Sequence, residues 1–265
     1  MKCCSARKNR LSNESTPAFA ILPGREESQM HRPVRSNNDI KRSVYWASFF
    51  IFAGMEERHR NILVSTAYLP PLDWVKAVAG AGKVFIEAME TYPKQTCRNR
   101  CRILTANGVL PLSIPVSKPL GRKSKTRDIR IFYGENWQRM HLRAIDTAYR
   151  NAPFYEFYMD GILPFYQKKF DFLLDFNQEL TRSLLQMLEI PADLTLTTSY
   201  VHDSGSLADL RRAFSPKNAE GEAPCKAYMQ VFTEKFGFVP GLSIIDLLFN
   251  EGPAAKAFLR ATEEC

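Results

Sequence analysis

One stretch beginning at residue 62 constrains the fold more than any other part of the sequence. The apolar run 62–67 has the composition of a buried strand, and a Tyr-Leu-Pro-Pro turn follows it. Leu72–Ala79 then carries apolar residues at helical spacing, and 83–88 reads as a second apolar strand. This order of strand, helix and strand is typical of a βαβ unit and predicts two neighbouring parallel strands.

The remaining chain continues as a mixture of strands and helices. Strands are predicted over 96–104 and 110–116, around a turn at Asn107-Gly108, and over 128–133 and 194–200. Helices are predicted over 137–149, 154–167 with a bend at Pro164, 171–188, 226–236, 243–250 and 254–261. We therefore expect an α/β fold: a single mixed domain over 61–265, with a βαβ-like N-terminal half and a helical C-terminal half.

Residues 1–60 have a different composition, with mixed charge, several Ser, Asn and Pro residues, and no sustained periodicity. This composition predicts a disordered leader, and the position of Met55 before the first strand suggests that translation starts there. The apolar run 44–54 is shorter than the roughly 20 residues that cross a bilayer. A charged MEERHR segment follows it instead of a cleavage site, so we predict a cytoplasmic protein without a membrane span.

Charge and cysteine spacing exclude several classes of partner. Of the net charge of +8, residues 1–60 carry +5 and residues 61–265 carry only +3, which argues against nucleic-acid binding. The six cysteines form no dense framework and no zinc-ligand spacing, which indicates free thiols in a reducing cytosol. We therefore predict no metal and no cofactor.

The segment 92–102 (YPKQTCRNRCR) is the first candidate site. Side chains alternate between the two faces of a strand, so Arg98, Arg100 and Arg102 are expected to share one face. The planar fork of arginine suits phosphate, which indicates a substrate such as a nucleotide sugar or a lipid-linked sugar. The alternative is a solvated edge strand whose charges block aggregation.

Two further residues are candidates for catalysis. His141 could act as a general base, although it lies on the apolar stripe of its helix, which fits a core histidine equally. Asp246 lies three residues after Ser243, the spacing of a capping box, and this gives it a structural alternative. Capping does not explain Asn250 and Glu251, which are therefore candidates to face a site.

Aromatic residues are concentrated between positions 149 and 176, which hold 10 of the 31 aromatics of the chain. Aromatic faces stack on sugar rings and line lipid grooves. At helical spacing they also form ordinary core, and both interpretations stay open.

Three stretches together resemble the WbqC-like protein family, in the form found in Bacteroides-type bacteria. They cover 65–116, 136–177 and 228–253. They include the NRC element, the W-x3-H helix, the APF sequence that follows this helix, and LSIIDLLFNEG. The family commonly has a Gln-Pro pair where this chain has Ser65 and Thr66. The resemblance implies a part in surface-polysaccharide or O-antigen biosynthesis, with transfer of glycine or another acyl or aminoacyl group to a sugar.

Under this hypothesis His141 and Asp246 are the candidate catalytic residues. The substrate-binding set comprises polar residues and the aromatic side chains that would line a pocket: Tyr68, Lys94, Gln95, Arg98, Asn99, Arg100, Trp137, Asn250 and Glu251. The sequence lacks GxGxxG, Walker, GxSxG and HExxH motifs. A second hypothesis is therefore a non-catalytic protein that docks to polysaccharide-assembly enzymes. A third is a nucleotidyl-transfer fold, although the histidines of such enzymes are missing after the first strand.

Overall fold

A computed structural model describes residues 60–214 and 227–260, all of which belong to one compact unit spanning 52–265. The predicted leader, apart from Arg60, and the proposed start at Met55 lie outside the described residues. Within the described residues no helix combines the length and apolar character needed to cross a membrane.

A four-stranded parallel sheet forms the centre of the fold. Its strands are β1 (Ile62–Val64), β2 (Val84–Ile86), β7 (Leu194–Leu196) and β8 (Ala208–Asp209), in the order β7-β2-β1-β8. The β1–β2, β1–β8 and β2–β7 pairs are all parallel, which confirms the prediction of a βαβ opening. All four strands therefore end at the same edge of the sheet.

Two antiparallel two-stranded sheets accompany the parallel sheet. One pairs β3 (Arg100–Thr105) with β4 (Gly108–Ser113), and Gly108 takes a φ of +100° at the tight turn. The other pairs β5 (Val116–Ser117) with β6 (Arg130–Ile131).

Helices complete the α/β architecture. They are α1 (Leu72–Ala79), α2 (Trp137–Tyr149), α3 (Tyr155–Gln167), α4 (Leu173–Met187), α5 (Thr233–Phe236), α6 (Ile244–Glu251) and α7 (Ala255–Arg260). The buried stripes of α2, α3 and α4 pack successively, and α1 packs against α6 and α7. One continuous core results, with Trp74, Trp137, Tyr149, Phe176 and Phe249 among its largest buried side chains.

Several predicted elements needed correction. The strand predicted over 96–104 begins only at Arg100, because 96–99 form a turn, so Arg98 does not share a strand face with Arg100 and Arg102. The helix predicted over 226–236 is confined to Thr233–Phe236, and residue 226 lies outside the described residues. Ser243 does cap α6, accepting from the Ile245 amide, but Asp246 turns inward instead of completing a capping box.

Candidate functional site

Polar and charged residues follow the strands at the carboxyl edge of the parallel sheet. Ser65 follows β1, Glu87 follows β2, Thr197 follows β7, and Arg211 lies just beyond β8. From β1 the chain continues to β2 on one side, whereas β8 lies on the other side of β1. The strand order therefore reverses between β1 and β8. Open α/β sheets bind ligands outside the carboxyl ends of their strands at such a position.

Glu87 is completely buried, and its carboxylate is the centre of one polar network. Its oxygens accept hydrogen bonds from the Met89 amide at 2.9 Å, the Thr197 hydroxyl at 2.7 Å and the Val201 amide at 3.0 Å. Arg211 donates to the same carboxylate at 3.3 Å and to Asp209 at 2.6 Å. The network fastens the segment after β7 to the ends of β2 and β8.

Arg98 forms a second buried ion pair. Its guanidinium donates to both oxygens of Glu90, at 2.8 and 2.7 Å. Its main-chain carbonyl accepts from the Asn177 side chain at 2.7 Å. Because Glu90 occupies the planar fork of Arg98, the structure gives this residue an internal partner where the sequence suggested a phosphate.

Ser65 joins the two networks. Its hydroxyl accepts from the Arg98 guanidinium and donates to the Arg211 carbonyl at 3.2 Å. The Tyr68 amide donates to the Cys97 carbonyl at 2.8 Å, which holds the 92–102 segment across the end of β1. This segment therefore lies at the carboxyl edge of the sheet.

Polar atoms without hydrogen-bond partners are concentrated in this segment. Among the described residues ten buried side-chain polar atoms have no such partner, and five of them fall within residues 92–102. They belong to Tyr92, Thr96, Asn99, Arg100 and Arg102. Buried polar atoms in native proteins nearly always have partners, so this local concentration indicates a place for a polar ligand or ordered water.

Positive charge surrounds Tyr92 in the same place. Burial raises the pKa of the Tyr92 hydroxyl, and the positive charges of Arg98 and Arg100 oppose that shift. The Lys118 ammonium lies 4.7 Å from the Tyr92 ring centroid. Burial is the main cause that lowers the pKa of Lys118, and the positive charge of Lys94 lowers it further. Arg100 has no ion pair among the described residues, so this group can attract an anion.

His141 lies in an aromatic cluster under the β3–β4 hairpin. Its Nδ1 is 2.9 Å from the Tyr68 hydroxyl, which is 2.7 Å from the Tyr166 hydroxyl. Trp137 packs edge-on against the ring at 5.2 Å. Burial lowers the pKa of His141 to about 4, opposed by a hydrogen bond with the Ser113 backbone. The imidazole is therefore neutral at pH 7, and its Nδ1 already has a hydrogen-bond partner within the core.

Asp246 is also fully buried and has partners inside the fold. Its carboxylate accepts from the Tyr228 hydroxyl at 2.7 Å and from the Gln230 amide at 3.0 Å. Burial raises the pKa of Asp246, and the hydroxyl groups of Tyr228 and Tyr149 oppose the shift. Asn250 donates to the Asp246 carbonyl at 2.7 Å, which stabilises α6 from within.

The remaining candidates are dispersed. Lys94 and Gln95 are exposed, with Gln95 at a φ of +57°, and Glu251 is half-buried at the end of α6. Asn99 donates its side-chain amide to the Ile114 carbonyl at 2.9 Å. Lys94, Asn99 and Arg100 share the 92–102 segment by sequence, and the structure places Asp246 in a separate network.

The aromatic run 149–176 is mainly core. Six of its ten aromatics are buried, three are half-buried, and only Phe157, at 76% exposure, projects into solvent. It therefore presents no continuous exposed docking face.

Sequence reasoning missed Glu87, Glu90 and Arg211. For Glu87 the sequence does contain a signal, because this residue directly follows an apolar strand, where charged residues of α/β folds tend to face the site. Within 60–214 and 227–260, no group of three or more His, Cys, Asp or Glu side chains is arranged to hold a metal.

Comparisons with known proteins agree with the resemblance noted in the sequence. The model of the WbqC-like protein family matches residues 66–223. The uncharacterized protein Rv1507c of Mycobacterium tuberculosis is 26% identical over 223 residues, which cover 75% of this chain and 96% of that protein. No solved structure matches the chain.

Proposed function

Because the chain belongs to the WbqC-like protein family, we propose that it is a transferase of surface-polysaccharide biosynthesis. Its substrate is an activated or lipid-linked sugar that carries phosphate, bound by the 92–102 segment at the carboxyl edge of the sheet. The transferred group is glycine or another acyl or aminoacyl group. The observation that supports the binding site is the concentration of five unpartnered buried polar atoms within this one segment.

The proposed phosphate ligands are Arg100, Lys94 and Lys118. Arg100 combines a half-buried guanidinium with an unpartnered Nε, so it can donate a charge-assisted hydrogen bond without first breaking an ion pair. Lys118 and Lys94 add positive charge on the side of Tyr92. The free Oδ1 of Asn99 can accept a hydrogen bond from a sugar hydroxyl or an amine.

Arg98 and His141 have positioning roles in this proposal. The guanidinium of Arg98 binds Glu90 and Ser65, so it is unavailable to substrate. The main-chain carbonyl of Arg98 accepts from Asn177 and fixes the segment further. His141 supports the β3–β4 hairpin from beneath, and its low pKa makes it a weak base at neutral pH. Asp246 supports α6 and the 228–230 segment in the same way.

Calorimetric titration with a panel of UDP-, GDP- and dTDP-sugars tests the binding site. Arg100→Gln is expected to weaken binding about tenfold or more, because a charge-assisted hydrogen bond contributes roughly 1.5–3 kcal/mol. Arg143→Gln, on the exposed face of α2, is the matched control and should leave binding unchanged. Binding should also weaken as salt increases. Equal losses in the two variants would contradict the assignment of Arg100.

The transfer reaction is tested separately by mass spectrometry. The purified protein is incubated with the same panel, with and without a glycyl thioester as activated donor. The expected products are the glycylated sugar compound and the free thiol, which takes the proton that the sugar hydroxyl or amine loses. Binding without any mass change across the panel would retain the site and reject the transferase. Absence of both binding and mass change would reject the proposed function.

A further inference from the structure

The segment 118–130 has a larger net positive charge than residues 61–265 taken as a whole. It contains six Lys and Arg residues and one acidic residue, a net charge of +5, whereas residues 61–265 as a whole carry +3. The rest of 61–265 is therefore net negative. Such an uneven distribution produces a local positive potential that the total charge conceals.

The fold brings this charge to one exposed surface. The β5–β6 pair closes the loop, and the Ile131 amide donates to the Asp171 carbonyl at 3.0 Å, which places β6 against residues 171–173. The Lys169 ammonium lies 5.4 Å from the Tyr133 ring centroid, which places Lys169 and its neighbour Lys168 beside the end of this strand pair. We call the exposed cations of this surface the basic face: Arg122, Lys123, Arg127, Arg130, Lys168 and Lys169.

Few of the cations on the basic face form ion pairs. Arg127 lies 3.3 Å from Asp128, and Lys168 lies 3.5 Å from Glu179, both in solvent. The other four cations have no ion pair among the described residues. Arg130 instead rests over the Phe172 ring, 4.8 Å from its centroid. These charges are available to an external anion.

Two apolar side chains project from the same surface. Phe132 lies two residues after Arg130, and alternation along the strand directs both side chains outward while Ile131 is buried. Phe132 is 52% exposed. Leu120, which directly precedes the turn Gly121–Lys123, is 65% exposed. Cations with interspersed exposed apolar side chains are typical of surfaces that lie on lipid bilayers.

We propose that the basic face docks the protein on an anionic lipid surface, with Leu120 and Phe132 entering the headgroup region. Lipid phosphates complement the cations, and the bilayer interface accepts the apolar side chains, for which a nucleic-acid backbone has no equivalent. The leader is not the occupant of the basic face, because residues 1–60 have a net charge of +5 and do not complement these cations. The proposal does not depend on the reaction proposed above.

Co-sedimentation of the full chain with lipid vesicles tests this surface. Vesicles of phosphatidylcholine alone are compared with a two-to-one mixture of phosphatidylcholine and phosphatidylglycerol, and binding to the mixture only is expected. The double variant Arg122→Gln/Lys123→Gln should bind the mixture about 25-fold more weakly, since each cation near an anionic surface contributes a factor of about five. Leu120→Ser should also weaken binding.

The control variant Lys83→Gln/Arg260→Gln removes the same charge from exposed positions outside the basic face and should bind like the parent. Equal binding to both vesicle types, no binding to either, or an equal loss in the control would overturn the proposal. The proposal would also be overturned if Leu120→Ser left vesicle binding intact and a DNA duplex displaced the protein from the vesicles. Arg100→Gln should retain vesicle binding, which separates this test from that of the proposed function.

Discussion

Replacing Arg98 with glutamine is expected to destabilise the fold by about 3–5 kcal/mol. Both members of the Arg98–Glu90 pair are buried, with side-chain exposures of 8% and 11%. The substitution removes two N–H···O bonds of 2.8 and 2.7 Å and leaves the Glu90 carboxylate without its cation. The uncompensated buried charge dominates the cost, because a neutral amide cannot replace the guanidinium.

The fold supplies a matched control in Arg150→Gln. Arg150 forms an ion pair with Asp146 at the same distance of 2.7 Å, but the two side chains are 71% and 34% exposed. Solvent screens this pair, so its loss should cost at most about 1 kcal/mol. With a urea dependence of about 2 kcal/mol per molar, the unfolding midpoints of the two variants should differ by roughly 1–2.5 M.

Urea unfolding followed by tryptophan fluorescence provides the measurement, because Trp74 and Trp137 are both buried. Glu90→Gln and the double variant complete a thermodynamic cycle, in which the coupling energy should reach at least about 2 kcal/mol. Equal midpoints for Arg98→Gln and Arg150→Gln would refute the reasoning. Additive effects of the two single substitutions would refute it as well.

Three other substitutions test separate parts of the fold. Burial raises the pKa of Asp246, so its ionised form costs stability once the pH exceeds the unfolded pKa of about 4. The unfolding free energy of Asp246→Asn should therefore increase relative to that of the parent as the pH rises above this value, and a pH-independent difference would contradict this. Burial lowers the pKa of His141 from 6.5 to about 4, so the parent should lose about 3 kcal/mol through this residue as pH falls across that interval. His141→Gln should lack that loss, and identical pH profiles would contradict it. Gly252 has a φ of +52°, and a Cβ there would lie 2.5 Å from the Phe154 ring, whereas Gly121 has a φ of +56° and open space. Gly252→Ala should therefore lower the unfolding free energy by about 2 kcal/mol more than Gly121→Ala, and equal thermal shifts would exclude the steric cause.

Local pattern was sufficient for much of the fold. The helices Leu72–Ala79 and Trp137–Tyr149 have the predicted bounds, because helical periodicity depends on neighbours three and four residues away. The parallel β1–β2 pair followed from the strand–helix–strand order. Strand lengths did not follow, and the two-residue strand Ala208–Asp209 was missed, because strand pairing depends on distant partners.

By itself, the sequence determined the family resemblance, the α/β class and the segment 92–102 as the place to search for a site. Only the tertiary structure decided which charges in that segment are free. Arg98 and Arg100 are two residues apart and chemically identical, yet folding brings Glu90 and Ser65 to one and leaves the other unpaired. The physical reason is that a buried charge needs partners beside it, and only folding decides which residues converge at the sheet edge, where Ser65 and Asn177 contact Arg98 from 33 and 79 positions away.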